Sequence, residues 1–183
     1  MLILGNHAKK GRACMEDIIK NLDLHAKGFW CPIIWTIILV LYVFIMRKKH
    51  LNWLQIYCTL GIISMFAWLS NSIFGVFLDW VDFGNPAATG LAEMLTYTFI
   101  PSSLAIIFLN KFEKENRLKR TILFVILSLF IEWTCNASGY MVYKHWNLFF
   151  SVPVYFVIYY VVLPIHYYLI REINSVEFKI KEE

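Results

Sequence analysis

Five stretches of this sequence run with almost no charge over lengths that a water-soluble domain seldom needs. The clearest is Gly28–Met46, nineteen residues without an Asp, Glu, Lys or Arg, closed by Arg47, Lys48 and Lys49. About 20 apolar residues suffice to cross the hydrocarbon core of a bilayer as a helix, and a spanning segment must satisfy its backbone internally. The second run, from about Leu51 to Asp79, exceeds that length and must tilt, bend or protrude. It ends at Asp79-Trp80-Val81-Asp82-Phe83-Gly84-Asn85-Pro86, where charge, an interfacial aromatic and turn residues meet. The third, Leu91 to Asn110, carries Pro101, which predicts a kink. The fourth covers Thr121 to Tyr143, and the fifth Phe149 to Ile170 with Pro153 and Pro164. None alternates with the period of two that a lipid-facing barrel strand requires. The expected fold is therefore all-α, an integral membrane bundle of five transmembrane helices over 28–170. An N-terminal extension, 1–27, precedes it and a charged cytoplasmic tail, 171–183, follows.

Composition agrees. Of 183 residues 59% are apolar and 16% charged, against roughly 45–50% and 25% in soluble domains. Disorder is excluded, because so apolar a chain collapses. The cysteines Cys14, Cys31, Cys58 and Cys135 are too sparse for a disulfide scaffold, and three lie in or beside apolar runs, where Cys behaves as a small hydrophobe. The net charge of +4 does not point to nucleic acid, because the basic residues sit in short clusters between apolar runs and set topology.

Counting Lys and Arg after the first and third runs and in the tail gives eleven, against Lys144 alone in the opposite loops. The positive-inside rule then puts the C-terminus in the cytoplasm and, with five spans, the N-terminus outside. Trp30, Trp80 and Trp146 fall at outer ends and Trp53 at an inner one, while the deeper Trp68 and Trp133 read as packing residues. Lys9, Lys10, Arg12, Lys20 and Lys27 resist this orientation, and translation from Met15 rather than Met1 would remove the conflict. Met15, Ile18, Ile19 and Leu22 have the spacing of an interfacial amphipathic helix. No cleaved signal peptide is indicated.

Polar residues inside the runs are the candidates for function, because a charge in hydrocarbon costs on the order of 3 kcal/mol unless sheltered. Glu132 is the sharpest, near the middle of the fourth run, with Ser128 and Asn136 four residues away on the same face. It reads either as a proton or cation site or general acid, or as a neutral donor that holds helices together. In the second run Ser64, Trp68, Asn71, Gly75 and Asp79 share a face that reads as a packing seam. In the fifth, Tyr155, Tyr159 and His166 share another, with Tyr159 at the depth of Glu132. An outer-half cluster of Asn71, Glu132, Asn136, Tyr155 and Tyr159 is geometrically allowed. His166 lies nearer the cytoplasmic side and reads as a satisfied histidine or headgroup contact. Glu93, Asp79 and Asp82 form either a cation-attracting outer mouth or solvated carboxylates. No GxSxG, HExxH, zinc spacing or phosphate-cradling glycine loop is present, so no catalytic residue, metal or cofactor is assigned.

The succession Ile131-Glu132-Trp133, Gly139, Trp146-Asn147, Ser151 and His166-Tyr167 resembles the C-terminal signature of a family of small uncharacterised membrane proteins from spore-forming Gram-positive bacteria. Asn52-Trp53 to Tyr57 and Pro101 are similar as well, and the resemblance covers residues 33–170. The chain departs from it at Pro164-Ile165, where an arginine is expected. The resemblance implies a bacterial plasma-membrane setting and draws attention to Glu132, Trp133, Trp146, Asn147 and His166, and it implies no activity.

Three functions remain open. The first is a structural or accessory envelope component, meeting a membrane-protein partner or a second copy of itself in the lipid bilayer. The second is a small oligomeric transporter or channel using Glu132. The third is a lipid-modifying enzyme using Glu132 and His166, which their separation disfavours.

Overall fold

The computed structural model describes residues 21–85 and 89–180, with side chains through residue 171. The proposed Met15–Leu22 helix and the Met15 start lie outside the described residues, except Asn21 and Leu22. Five helical rods account for most of the rest. The first is α1 (Trp30–Ile45), and the second is α2 (Trp53–Asn71), prolonged by a π-helical turn at Ser72–Phe77. α3 (Leu91–Asn110) and α4 (Arg117–Ala137) follow. The fifth rod joins α5 (Leu148–Val157), a π-helical turn at Ile158–Val162 and α6 (Leu163–Ile180). Three rods, Trp53–Phe77, Leu91–Asn110 and Leu148–Arg171, are long and apolar enough to cross a membrane. α1 is apolar but 16 residues long, and α4 opens on Arg117, Lys119 and Arg120.

Local chemistry sets the boundaries. Asn52 and Gln55 cap α2 reciprocally, each side chain accepting from the other's backbone N–H at 2.8 and 2.9 Å. Asn110, buried at the end of α3, clamps the α1–α2 turn. Its Oδ1 accepts from Lys49 N at 2.8 Å and His50 N at 3.2 Å, and its Nδ2 donates to Arg47 O at 2.9 Å. α4 stops where Gly139 takes φ +81° and donates its N–H to Asn136 O, the left-handed ending that glycine adopts without a Cβ clash.

α3 is the central rod, flanked by α1 and α2 and touched by α4 and α6. Its C-terminal half, Ser102 to Asn110, is buried throughout, and the Phe108 ring meets Phe124 and Tyr159 from α4 and the fifth rod. α4 packs chiefly on α5. Two three-residue strands, β1 (Val81–Phe83) and β2 (Met141–Tyr143), pair antiparallel, with Val81 opposite Tyr143 and Phe83 opposite Met141. They stitch the loop after α2 to the loop after α4. Lys144 tightens the join by donating to Asp79 at 2.6 Å and Asp82 at 2.9 Å.

Several expectations need correction. The fourth run is helical only to Ala137, and its last apolar residues, Met141–Tyr143, are a strand. Glu132 consequently lies five residues from the C-terminal end of α4, about 7 Å at 1.5 Å per residue, and not at the middle of that helix. Residues 171–180 continue α6 as helix. Trp133 is 53% exposed and stacks on Phe130 on the outside of the bundle, so it is no interior packing residue. Trp68 does pack inside, against Tyr97, and reaches Thr98 Oγ1 at 3.3 Å.

Candidate functional site

The site is built around Glu132, buried on the face of α4 that meets α5 and the strand pair. Asn147 starts α5 by accepting from Phe149 N at 3.0 Å and Phe150 N at 3.2 Å, an N-cap that fixes the first turn. One turn on, Ser151 faces the carboxylate and donates to Glu132 Oε1 at 2.6 Å. Ser151 in turn accepts from Trp146 Nε1 at 2.9 Å. Tyr143, at the end of β2, donates to the same Oε1 at 2.8 Å. Burial and the adjacent Glu132 carboxylate push the Tyr143 phenol above its ordinary pKa, so it stays a neutral donor. Trp146 itself is held in an aromatic group with Phe74, Trp80 and Phe150, ring centroids 5.0–6.0 Å apart.

Oε1 is thus fully engaged, and Oε2 is not. It is buried and accepts no hydrogen bond of regular geometry, with the buried Tyr155 phenol as its polar neighbour. No Lys or Arg among the described residues bridges to Glu132. The carboxylate lines a cavity of about 310 Å³ between α2 and the fifth rod, with α3 and α4 behind. This is about twice the ~150 Å³ that holds a benzene and sits at the small end of ligand pockets. Ile63, Phe66, Ile100, Leu104, Val154 and Ile158 make its walls apolar, and Phe83, Tyr97, Tyr155 and Tyr159 add aromatic surface. The residues Phe66 on α2 and Val154 and Val162 on the fifth rod are exposed at its rim, so the cavity opens sideways between those two rods.

Of the expected cluster, the structure brings together Glu132 and Tyr155 in this cavity wall, with Tyr159 a turn below, hydrogen-bonded to Ser128 at 2.8 Å. Tyr159 is therefore at the depth of Ser128 and not of Glu132. Asn71 and Asn136 turn elsewhere. Asn71 donates to Glu93 at 3.0 Å, and Asn136 donates to Met141 O at 2.9 Å, holding β2. Glu93 is therefore partnered, and Asp79 and Asp82 grip Lys144, so the acidic outer mouth does not form. Their hydrogen bonds raise the pKa of the Lys144 ammonium.

His166 belongs to a separate system. Its Nε2 lies 3.1 Å from Thr59 Oγ1, and the Thr59 hydroxyl donates to Gln55 O at 2.7 Å, so the imidazole is the donor to threonine. Tyr167 packs on Phe112. Gly139 supplies the α4 stop, as described. Sequence reasoning missed Tyr143, whose signal was only a tyrosine four residues after a glycine. It had Ser151, Trp146 and Asn147 as motif residues without their roles. No family model, curated protein or solved structure matches the chain.

Proposed function

We propose that this chain is a multi-pass membrane protein that binds a lipophilic amine in the cavity between α2 and the fifth rod, the ammonium resting on Glu132. The observation that carries the reading is the unpartnered Oε2, buried in an apolar, aromatic-walled cavity with no protein cation to balance it. A buried carboxylate oxygen with no counter-charge is unfavourable in an apolar wall. An ammonium would supply the missing counter-charge. Its charge also favours the faces of Tyr97, Phe83 and Tyr155, since cations are attracted to aromatic rings. The division of labour on the carboxyl group supports this over a purely structural role: Oε1 carries the Tyr143 and Ser151 bonds, leaving Oε2 surplus.

In this reading all five rods cross a bacterial plasma membrane, the strand pair faces outward, and binding at Glu132 is the recognition step of a small carrier working as a homo-oligomer. The relay from Trp146 through Ser151 to Glu132, on a helix that Asn147 caps, supports treating the family-like motif as a single site. The lipid-modifying reading lacks that support, because His166 bonds to Thr59 and has no link to the Glu132 relay.

The test is saturation binding of a radiolabelled arylalkylamine to the protein in lipid nanodiscs. Wild type should bind saturably, and Glu132→Gln should abolish binding. Equal binding by Glu132→Gln, or tighter binding of the matching neutral alcohol, would overturn the proposal.

A further inference from the structure

At the same end of the bundle, two thiols from different rods meet. Cys31 is the second residue of α1 and Cys135 the third from the end of α4. Their sulfurs lie 3.7 Å apart, both side chains buried, at 2% and 4% exposure. The rods are already locked together beside them: a Cβ on Gly28 would fall 2.6 Å from Ser138 O. Val81 and Met141 of the strand pair close the other side. A thiol–thiol contact is a weak hydrogen bond and explains little by itself. A short approach of two sulfurs held by a tight backbone contact is the arrangement from which an S–S bond of ~2.05 Å closes with a small shift.

We infer that Cys31 and Cys135 form an intrachain disulfide that staples α1 to α4 at the outer face. This rests on the outward orientation of that end, part of the reading above, and not on amine binding. The oxidant is the disulfide of an envelope thiol oxidoreductase, which must reach the thiols before folding buries them. One cysteine thiolate attacks the donor disulfide, forming a mixed disulfide and releasing one donor thiolate. The second cysteine thiolate then attacks the sulfur of its partner and displaces the other donor thiolate. Two electrons pass to the donor, and the two protons lost by the cysteines go to its thiols. The link spans 104 positions, and cross-links closing loops of that size restrict the unfolded chain strongly. Reduction should therefore lower the Tm by roughly 10 °C.

The experiment uses the full chain in membranes of expressing bacteria. Cells are quenched in acid, alkylated with N-ethylmaleimide and digested without reduction. The expected product is a Cys31–Cys135 linked peptide, absent from Cys31→Ser and Cys135→Ser. Purified protein, reduced and then treated with copper–phenanthroline, should regain the same link. Both thiols alkylated in membranes would overturn the inference. In that event, linkage in the purified protein would place the error in the orientation, and its absence there would place it in the pairing geometry. Neither result bears on the Glu132→Gln binding comparison.

Discussion

Replacing Glu132 in two ways separates what its two oxygens do. In Glu132→Gln the amide oxygen can occupy the Oε1 position and keep both incoming bonds, from Tyr143 at 2.8 Å and Ser151 at 2.6 Å. Only the cavity-facing atom changes, and stability should stay within about 1 kcal/mol of wild type. In Glu132→Leu both hydroxyls lose their acceptor. Ser151 is 3% exposed and cannot recover a water, so its loss is close to the full ~1–3 kcal/mol for an unsatisfied buried group. Tyr143 is half-buried and can partly rehydrate, which limits its share to about 1 kcal/mol. The leucine should therefore destabilise by roughly 2–4 kcal/mol. The assay is reversible denaturation in mixed micelles followed by tryptophan fluorescence. The cycle with Tyr143→Phe adds a control, because that substitution should cost about 1 kcal/mol beside Glu132 and nothing beside leucine. A leucine variant as stable as wild type, or a glutamine variant as damaged as the leucine one, would refute the assignment of Oε1 as the structural oxygen.

Asn110→Ala removes three bonds that close the α1–α2 turn, and stability should fall by about 2–3 kcal/mol, with faster hydrogen exchange at the Lys49 and His50 amides. Unchanged exchange would show that the turn holds itself. Glycines give an opposed pair. Gly28→Ala meets φ +71° and a contact of 2.6 Å with the Ser138 carbonyl, so it should cost more than about 2 kcal/mol, whereas Gly61→Ala meets nothing within 4 Å inside α2 and should gain about 0.5–1 kcal/mol. Thermal unfolding of the two variants in parallel checks both signs, and equal shifts would defeat the argument.

Where both ends of a rod are written locally, the sequence was enough. Leu91–Asn110 is bounded by Gly90 on one side and a charged stretch on the other, and the helix occupies those residues. The fourth run misled because Met141–Tyr143 is as apolar as the helix before it. Its strand state depends on Val81–Phe83, some 60 residues away, and on the Gly139 turn, and no hydropathy window registers either. The polar cluster was misjudged for a related reason. Counting residues from a helix end gives depth but not rotation about the axis. Asn71 has the depth for Glu132 and yet turns to Glu93. Once α4 ends at Ala137, depths reckoned from Tyr143 shift by about a turn and a half, which moves Ser151 and Tyr155 into the place assigned to Tyr159. The relay through Ser151 joins residues nineteen positions apart on two rods, and only their packing makes one device of them.

The strand pair has a consequence for traffic. Phe83 and Met141 form part of the cavity lining, and Tyr143 ties the pair to Glu132, so the strand pair roofs that end of the chamber. With the rim between α2 and the fifth rod exposed, the guest of the proposed amine-binding reading arrives from among the acyl chains. Its effective concentration is then set by how strongly it dissolves in the bilayer, and uptake in a homologous amine series should rise with the oil–water distribution coefficient while the aqueous dose is held fixed.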